Sequence, residues 1–139
     1  MKLMSDLRKS ILTAEQSRHL LLQKFMSAKP FIAAQVYERF NTCGNKNCKC
    51  QRGELHGPFL WIYQLRKGQR VLSTSVAEDK RREAKEMAER YKAWTDQRQR
   101  LRELDLEIQE HLNAMEILLE KEARDYATKR APGRPKKDR

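Results

Sequence analysis

Long apolar runs are missing from this chain. Nothing in it approaches the ~20 consecutive apolar residues of a membrane span, so no membrane-crossing helix is expected. Aromatic residues make up only 7% and charged residues 35%, which leaves little sequence for a thick core. The mean hydropathy of −0.91 agrees. At 139 residues, one small packed unit with helical extensions is expected, and units this small often depend on a metal or on oligomerisation. Residues Met1 to Asp6 show neither an apolar signal core nor a small-residue cleavage site. The expected location is therefore cytoplasmic, and nucleoid-associated given the charge described below. Neither a zinc-protease helix motif nor a deaminase Cys-x-x-Cys is present, so no enzymatic activity is expected.

Cysteine is also scarce, and its placement is informative. All three, Cys43, Cys48 and Cys50, lie within eight residues, and His56 follows six positions after the last. Three is an odd number for disulfides, and clustered thiols in a reducing compartment are more often metal ligands. The pattern C-x4-C-x-C-x5-H supplies the soft donors that a tetrahedral structural Zn2+ accepts. Lys46, Lys49 and Arg52 would offset the negative charge of such a cluster. Two other readings stay open: a lone oxidisable thiol among spectators, and His56 serving only a Gly57–Pro58 turn.

Charge is plentiful and uneven. The formal net charge is +11. Residues 1–29 carry six basic and two acidic groups, residues 30–76 seven and two, and residues 127–139 six and one. Residues 77–126 reverse the balance, with eleven basic and fourteen acidic. A polyanionic partner is implied, nucleic acid before membrane, because no basic amphipathic helix with an aromatic face is present.

The spacing of Leu7, Ile11, Ala14, Leu21, Leu22 and Phe25 predicts a helix over 5–27, within a first segment 1–29. Lys29–Pro30 closes it. Thr13-x-x-Gln16 is an internal capping box that leaves two shorter helices open. Segment 30–76 reads as a strand from about residue 34 into Cys43, then the knuckle, then a hairpin of 58–65 and 70–76 about Lys67–Gly68–Gln69. The fold class expected is α+β: a small three-stranded antiparallel sheet with a zinc knuckle, flanked by an N-terminal helix and a long C-terminal one. Ser75 to Glu78 fits a capping box for that long helix over 77–127. No glycine or proline interrupts residues 70–131. The segment 128–139 has no large apolar side chain and is expected to be disordered when free.

Helix length bears on assembly. Packed antiparallel from the same sheet, the first helix would cover about residues 77–102 of the second, both rising ~1.5 Å per residue. That would leave Leu104 to Leu119 bare and favour a homodimer through residues 101–119. Residues 80–102 hold nine basic and four acidic groups and residues 103–126 two and eight, so two antiparallel copies would match in charge. A helix bent near Thr95–Asp96 is the alternative.

Cys43-Gly44, Cys48, Cys50, His56-Gly57-Pro58 and the Trp61–Tyr63 strand resemble the signature of an uncharacterised family of short bacterial and archaeal proteins. The resemblance covers roughly residues 5–100. It implies a zinc-binding protein associated with mobile elements, often encoded near transposase genes, and supplies no activity. The tail resembles an AT-hook: Gly133-Arg134-Pro135 matches the core, and Lys136 and Lys137 follow. Pro132 stands where the usual hook has arginine, and Arg130 lies two positions too early. Arginine on an extended proline-fixed backbone suits narrow A·T-rich minor grooves, while an unselective electrostatic tail fits equally. Further DNA contacts are expected at Lys46, Lys49, Arg52, Arg66, Lys67 and Arg70. The function expected is that of a zinc-stabilised, non-catalytic DNA-binding accessory or regulatory protein of a mobile element or phage. Its alternative is a protein-interaction adaptor built on a helical rod with a basic localising tail, and a third reading is a thiol redox sensor.

Overall fold

A computed structural model describes residues 3–64, 72–129 and 133. Their order is α1 (Met4–Met26), β1 (Gln35–Asn41), a 3-10 helix (Lys49–Arg52), β2 (His56–Gln64), β3 (Leu72–Ser75), a 3-10 turn (Glu78–Lys80) and α2 (Arg81–Thr128). The strands form one antiparallel sheet in the order β1-β2-β3. The α+β architecture expected from the sequence is thus present, with the cysteine-histidine cluster at the β1–β2 connection. The turn at Lys67–Gly68–Gln69 lies outside the described residues. Among the described residues, no helix is long and apolar enough to cross a membrane.

Two compact units divide the chain. The first joins α1 up to Lys24 with α2 from Gln99 onward. Leu7, Ala14 and Leu21 repeat every seven residues on α1, so they fall on one stripe, and all three are buried. Leu104 is their buried counterpart on α2; it and Leu7 are each only 2% exposed. Arg18 Nε donates to Asp105 Oδ1 at 2.8 Å beside this seam. Thr13-x-x-Gln16 does not start a second helix, since α1 is continuous.

This seam corrects the expected pairing of the helices. α1 covers the part of α2 that contains Leu104 and Asp105, not residues 77–102. The cause is the linker. Pro30 accepts from Arg90 Nη1 at 3.1 Å, and Ile32 N–H donates to Met87 O at 3.3 Å, so this stretch runs beside the first turns of α2 and fills the space α1 was expected to take. The acidic second half of α2 thus meets basic α1 of the same chain through Arg18 and Asp105, so charge is matched here without a second copy.

The second unit, Phe25–Arg98, holds the sheet. Tyr37 lies opposite Trp61, Glu38 opposite Leu60, and Arg39 opposite Phe59; the register slips between Arg39 and Asn41. On the far side, Trp61 faces Ser75 and Ile62 faces Thr74. Paired residues share a sheet face, so Val36, Leu60 and Ile62 line one side. That side meets α2, where Ala84 and Ala88 are buried and Lys85 Nζ reaches Glu38 Oε1 at 3.3 Å. Phe25 meets Trp94 edge-on at 4.8 Å between ring centroids, and Phe31 meets Trp94 at 5.3 Å.

The start of α2 also departs from the sequence reading. Ser75 remains in β3 opposite Trp61, so it cannot cap the helix. Ala77 precedes the 3-10 turn instead, with no side-chain cap. Arg81 anchors the junction, its Nη1 donating to Pro58 O at 3.0 Å.

Candidate metal centre

The connection between β1 and β2 is built from short hydrogen-bonded turns. Asn45 accepts from Cys48 N–H through its carbonyl at 3.2 Å, and from Asn47 N–H through its side chain at 3.0 Å. Cys48, extended at φ −78° and ψ 146°, leads into the 3-10 helix, and Gly53 ends it in the left-handed region at φ 99°. His56 then opens β2 opposite Asn41. The loop therefore leaves and re-enters the sheet at adjacent positions, which draws Cys43, Cys48, Cys50 and His56 together.

The four donor atoms lie within 4.8 Å of one another. Cys48 Sγ is 3.1 Å from His56 Nε2, and Cys43 Sγ is 3.5 Å from Cys50 Sγ. A tetrahedral zinc with ligands at ~2.3 Å for sulfur and ~2.0–2.1 Å for nitrogen would separate its donors by roughly 3.5–3.8 Å. The residues present fit such an ion and are close enough to hold one. Cys50 is buried, Cys43 and Cys48 are half-buried, and His56 is exposed. Cys43 N–H donates to Cys50 Sγ at 3.3 Å, as expected around a thiolate. Gln51, which the sequence reading did not single out, donates from Nε2 to Cys43 O at 3.3 Å and braces the loop across the cluster. Glutamine beside a candidate ligand carries no signal of its own, so it was not legible.

Gly57 is the glycine the site requires. Its φ is +133°, and a Cβ there would lie 2.8 Å from Arg39 O and 3.0 Å from Phe40 Cδ1. Gly57→Ala is expected to destabilise the sheet unit by about 1–3 kcal/mol or more, because the clash is with backbone and the φ is unfavourable for any side chain. A denaturant melt of the variant checks this. An unchanged midpoint would mean that the β1–β2 approach relaxes freely.

The thiols differ in acidity. A hydrogen bond from the Cys50 backbone, aided by the Cys43, Cys50 and His56 side chains, lowers the Cys48 thiol from 9.0 to about 6. For Cys50, the Cys43 backbone N–H works in the same direction, but burial and the Cys43 and Cys48 thiols outweigh it and raise the pKa. In metal-stripped protein, the stability contributed by the Cys48 thiolate is full above about 9 and lost as pH falls through about 6. Alkylation of that form at pH 7 should therefore mark Cys48 first, with a rate midpoint near 6, and Cys50 only at higher pH. Mass mapping of the modified cysteines across pH tests the order.

Of the basic residues assigned to DNA, Lys46, Lys49 and Arg52 lie exposed on the knuckle. None forms an ion pair with a carboxylate among the described residues. Gly133 is an exposed turn residue. Arg66, Lys67, Arg70, Arg130, Arg134, Pro135, Lys136 and Lys137 lie outside the described residues.

Fold and site together define a class: a small α+β protein whose sheet carries a three-cysteine, one-histidine cluster at one end. Residues 12–89 match the family described as "Domain of unknown function (DUF6788)", and the chain belongs to that family. The matched segment holds most of α1, the whole sheet with the cluster, and the first turns of α2. No curated protein and no solved structure matches the chain.

Proposed function

We propose that the protein is a zinc-stabilised, non-catalytic DNA-binding accessory or regulatory factor; a mobile element or phage is the setting that the resemblance suggests. The observation that carries this reading is the closed donor set beside unpaired cations. Three thiols and an imidazole fill all four positions of a tetrahedral ion, which leaves none for substrate and suits a structural role. Lys46, Lys49 and Arg52 stand free of carboxylate partners among the described residues, in a segment that carries seven basic and two acidic groups. Contacts to phosphates by such side chains are salt-dependent and indifferent to sequence, while the AT-hook-like tail would add preference for A·T-rich duplex.

The test is binding to A·T-rich and G·C-rich duplexes across salt concentrations, with the intact chain and with residues 129–139 removed. A steep salt slope should persist, reduced, after the deletion, and any A·T preference should vanish with the tail. If the truncated chain binds no DNA, contact belongs to the tail alone.

One observation favours the adaptor reading. Leu112 and Leu119 are 42% and 47% exposed, and with Met115 they line an open groove on α2. The same residues supply what support remains for a homodimer through 101–119, since Leu104 is already covered by its own chain. Solution mass, and its change in Leu112→Ser, separates a second copy from another partner.

A further inference from the structure

We propose that the sheet face turned away from α2 is a stacking platform for unpaired bases of a single-stranded nucleic acid. The proposal rests on the nucleic-acid reading above and adds to it a site and a strandedness.

Alternation along the strands decides which side chains share this face. Tyr37 and Arg39 of β1 lie directly opposite Trp61 and Phe59 of β2. Directly opposed residues stand about 4.5–5.5 Å apart at Cβ, so three rings and a guanidinium form one contiguous patch. Tyr37 is 37% exposed, and Phe59 and Trp61 are half-buried; the guanidinium of Arg81, at the start of α2, sits 5.9 Å from the Phe59 ring centroid and caps that end of the patch. In β3, Ser75 lies opposite Trp61 and Ser73 opposite Tyr63; both are small, and the Tyr37 hydroxyl donates to Ser73 Oγ at 3.5 Å across the face.

Charge identifies the occupant. No carboxylate lies on this face among the described strand residues: the one acidic residue of the strands, Glu38, is on the opposite side, held by Lys85. The guanidinium of Arg39 sits 5.2 Å from the Trp61 ring centroid. Transfer of that cation from the ring to a phosphate would leave the ring face for a base, exchanging a cation–π contact for a stack and an ion pair. The Trp61 indole Nε1 is buried without a hydrogen-bond partner, so the ring, not its N–H, is what this face offers a base. The β1–β2 end of the patch leads to the knuckle, whose Lys46, Lys49 and Arg52 have no carboxylate partner among the described residues, so a continuing backbone finds positive charge there. Rings on a sheet face cannot stack on bases that are already paired and stacked in a duplex, so the geometry selects unpaired strands.

The experiment uses the full chain with Trp94→Phe, which leaves Trp61 as the sole tryptophan. Oligo-dT, oligo-rU and a duplex of equal length are titrated while Trp61 fluorescence is followed. Single strands should quench Trp61 and bind more tightly than the duplex, and the oligo-dT and oligo-rU arms tell DNA from RNA. Tyr37→Ala in the otherwise unaltered chain should weaken single-strand binding about fivefold or more, read by anisotropy of a labelled oligonucleotide at a temperature where circular dichroism shows the variant folded. Equal or tighter duplex binding without quenching overturns the platform and leaves the nucleic-acid reading standing. An unchanged affinity in Tyr37→Ala overturns the platform as well. Binding to neither form overturns both.

Discussion

Serine in place of Cys50 is expected to abolish metal retention and to loosen the β1–β2 end of the sheet. Cys50 is the most buried of the candidate ligands at 3% exposure, and its Sγ takes the Cys43 N–H while lying 3.5 Å from the Cys43 sulfur. Loss of a group that merely supports a ligand lowers metal affinity ~10–100-fold, and loss of the ligand itself should exceed that. Because binding free energy at a structural site is folding free energy, the effect should reach stability. Metal content of the purified chain, measured by elemental analysis, should fall from one ion to none. A strong chelator should lower the melting temperature of the unaltered protein and leave that of Cys50→Ser unmoved. If Cys48→Ser and Cys50→Ser melt like the parent with or without chelator, the cluster is not a metal centre.

Leu104→Ala should be the most damaging change in the helical unit, costing about 2–5 kcal/mol. Leu104 is 2% exposed and is the buried counterpart on α2 of the stripe formed by Leu7, Ala14 and Leu21. Leu7 and Leu104 are the most buried large side chains described in the helical unit, so a cavity at either has little surrounding core to absorb it. Leu119→Ala, at a position 47% exposed, should cost well under half of that in a dilute monomer. The comparison is made by urea titration followed by circular dichroism. Equal effects at the two positions would show that the seam lies elsewhere, or that Leu119 is covered by a second copy.

Local signals were legible in the sequence and non-local ones were not. α1 spans Met4–Met26 against an expected 5–27, because apolar spacing and Pro30 are read within a few residues of where they act. The cluster was legible for the same reason: its four residues fall within fourteen positions, and the loop between paired strands has nowhere else to bring them. The stretch of α2 that α1 covers was not legible. It depends on the path of residues 27–34, and nothing in Pro30 or Ile32 announces that Arg90 and Met87 will hold them. The false cap at Ser75 has a similar origin. The motif Ser75-x-x-Glu78 is present, but pairing with Trp61 keeps that serine in the sheet. Exposure of the outer face was hidden too, since a strand of alternating aromatics reads as core until the position of α2 shows which side is covered.

The sheet unit has a thin interior. Its buried apolar residues among those described are Ala34, Cys50, Leu60, Ala84 and Ala88, of which one is a large aliphatic and one a candidate ligand. A bound ion adds about 2.7 kcal/mol when it is available at a hundred times its dissociation constant, a sizeable share of what so little packing can supply. Loss of the ion would then open the strands to proteases. Resistance of the purified chain to proteolysis would then rise and fall with the metal supplied to it.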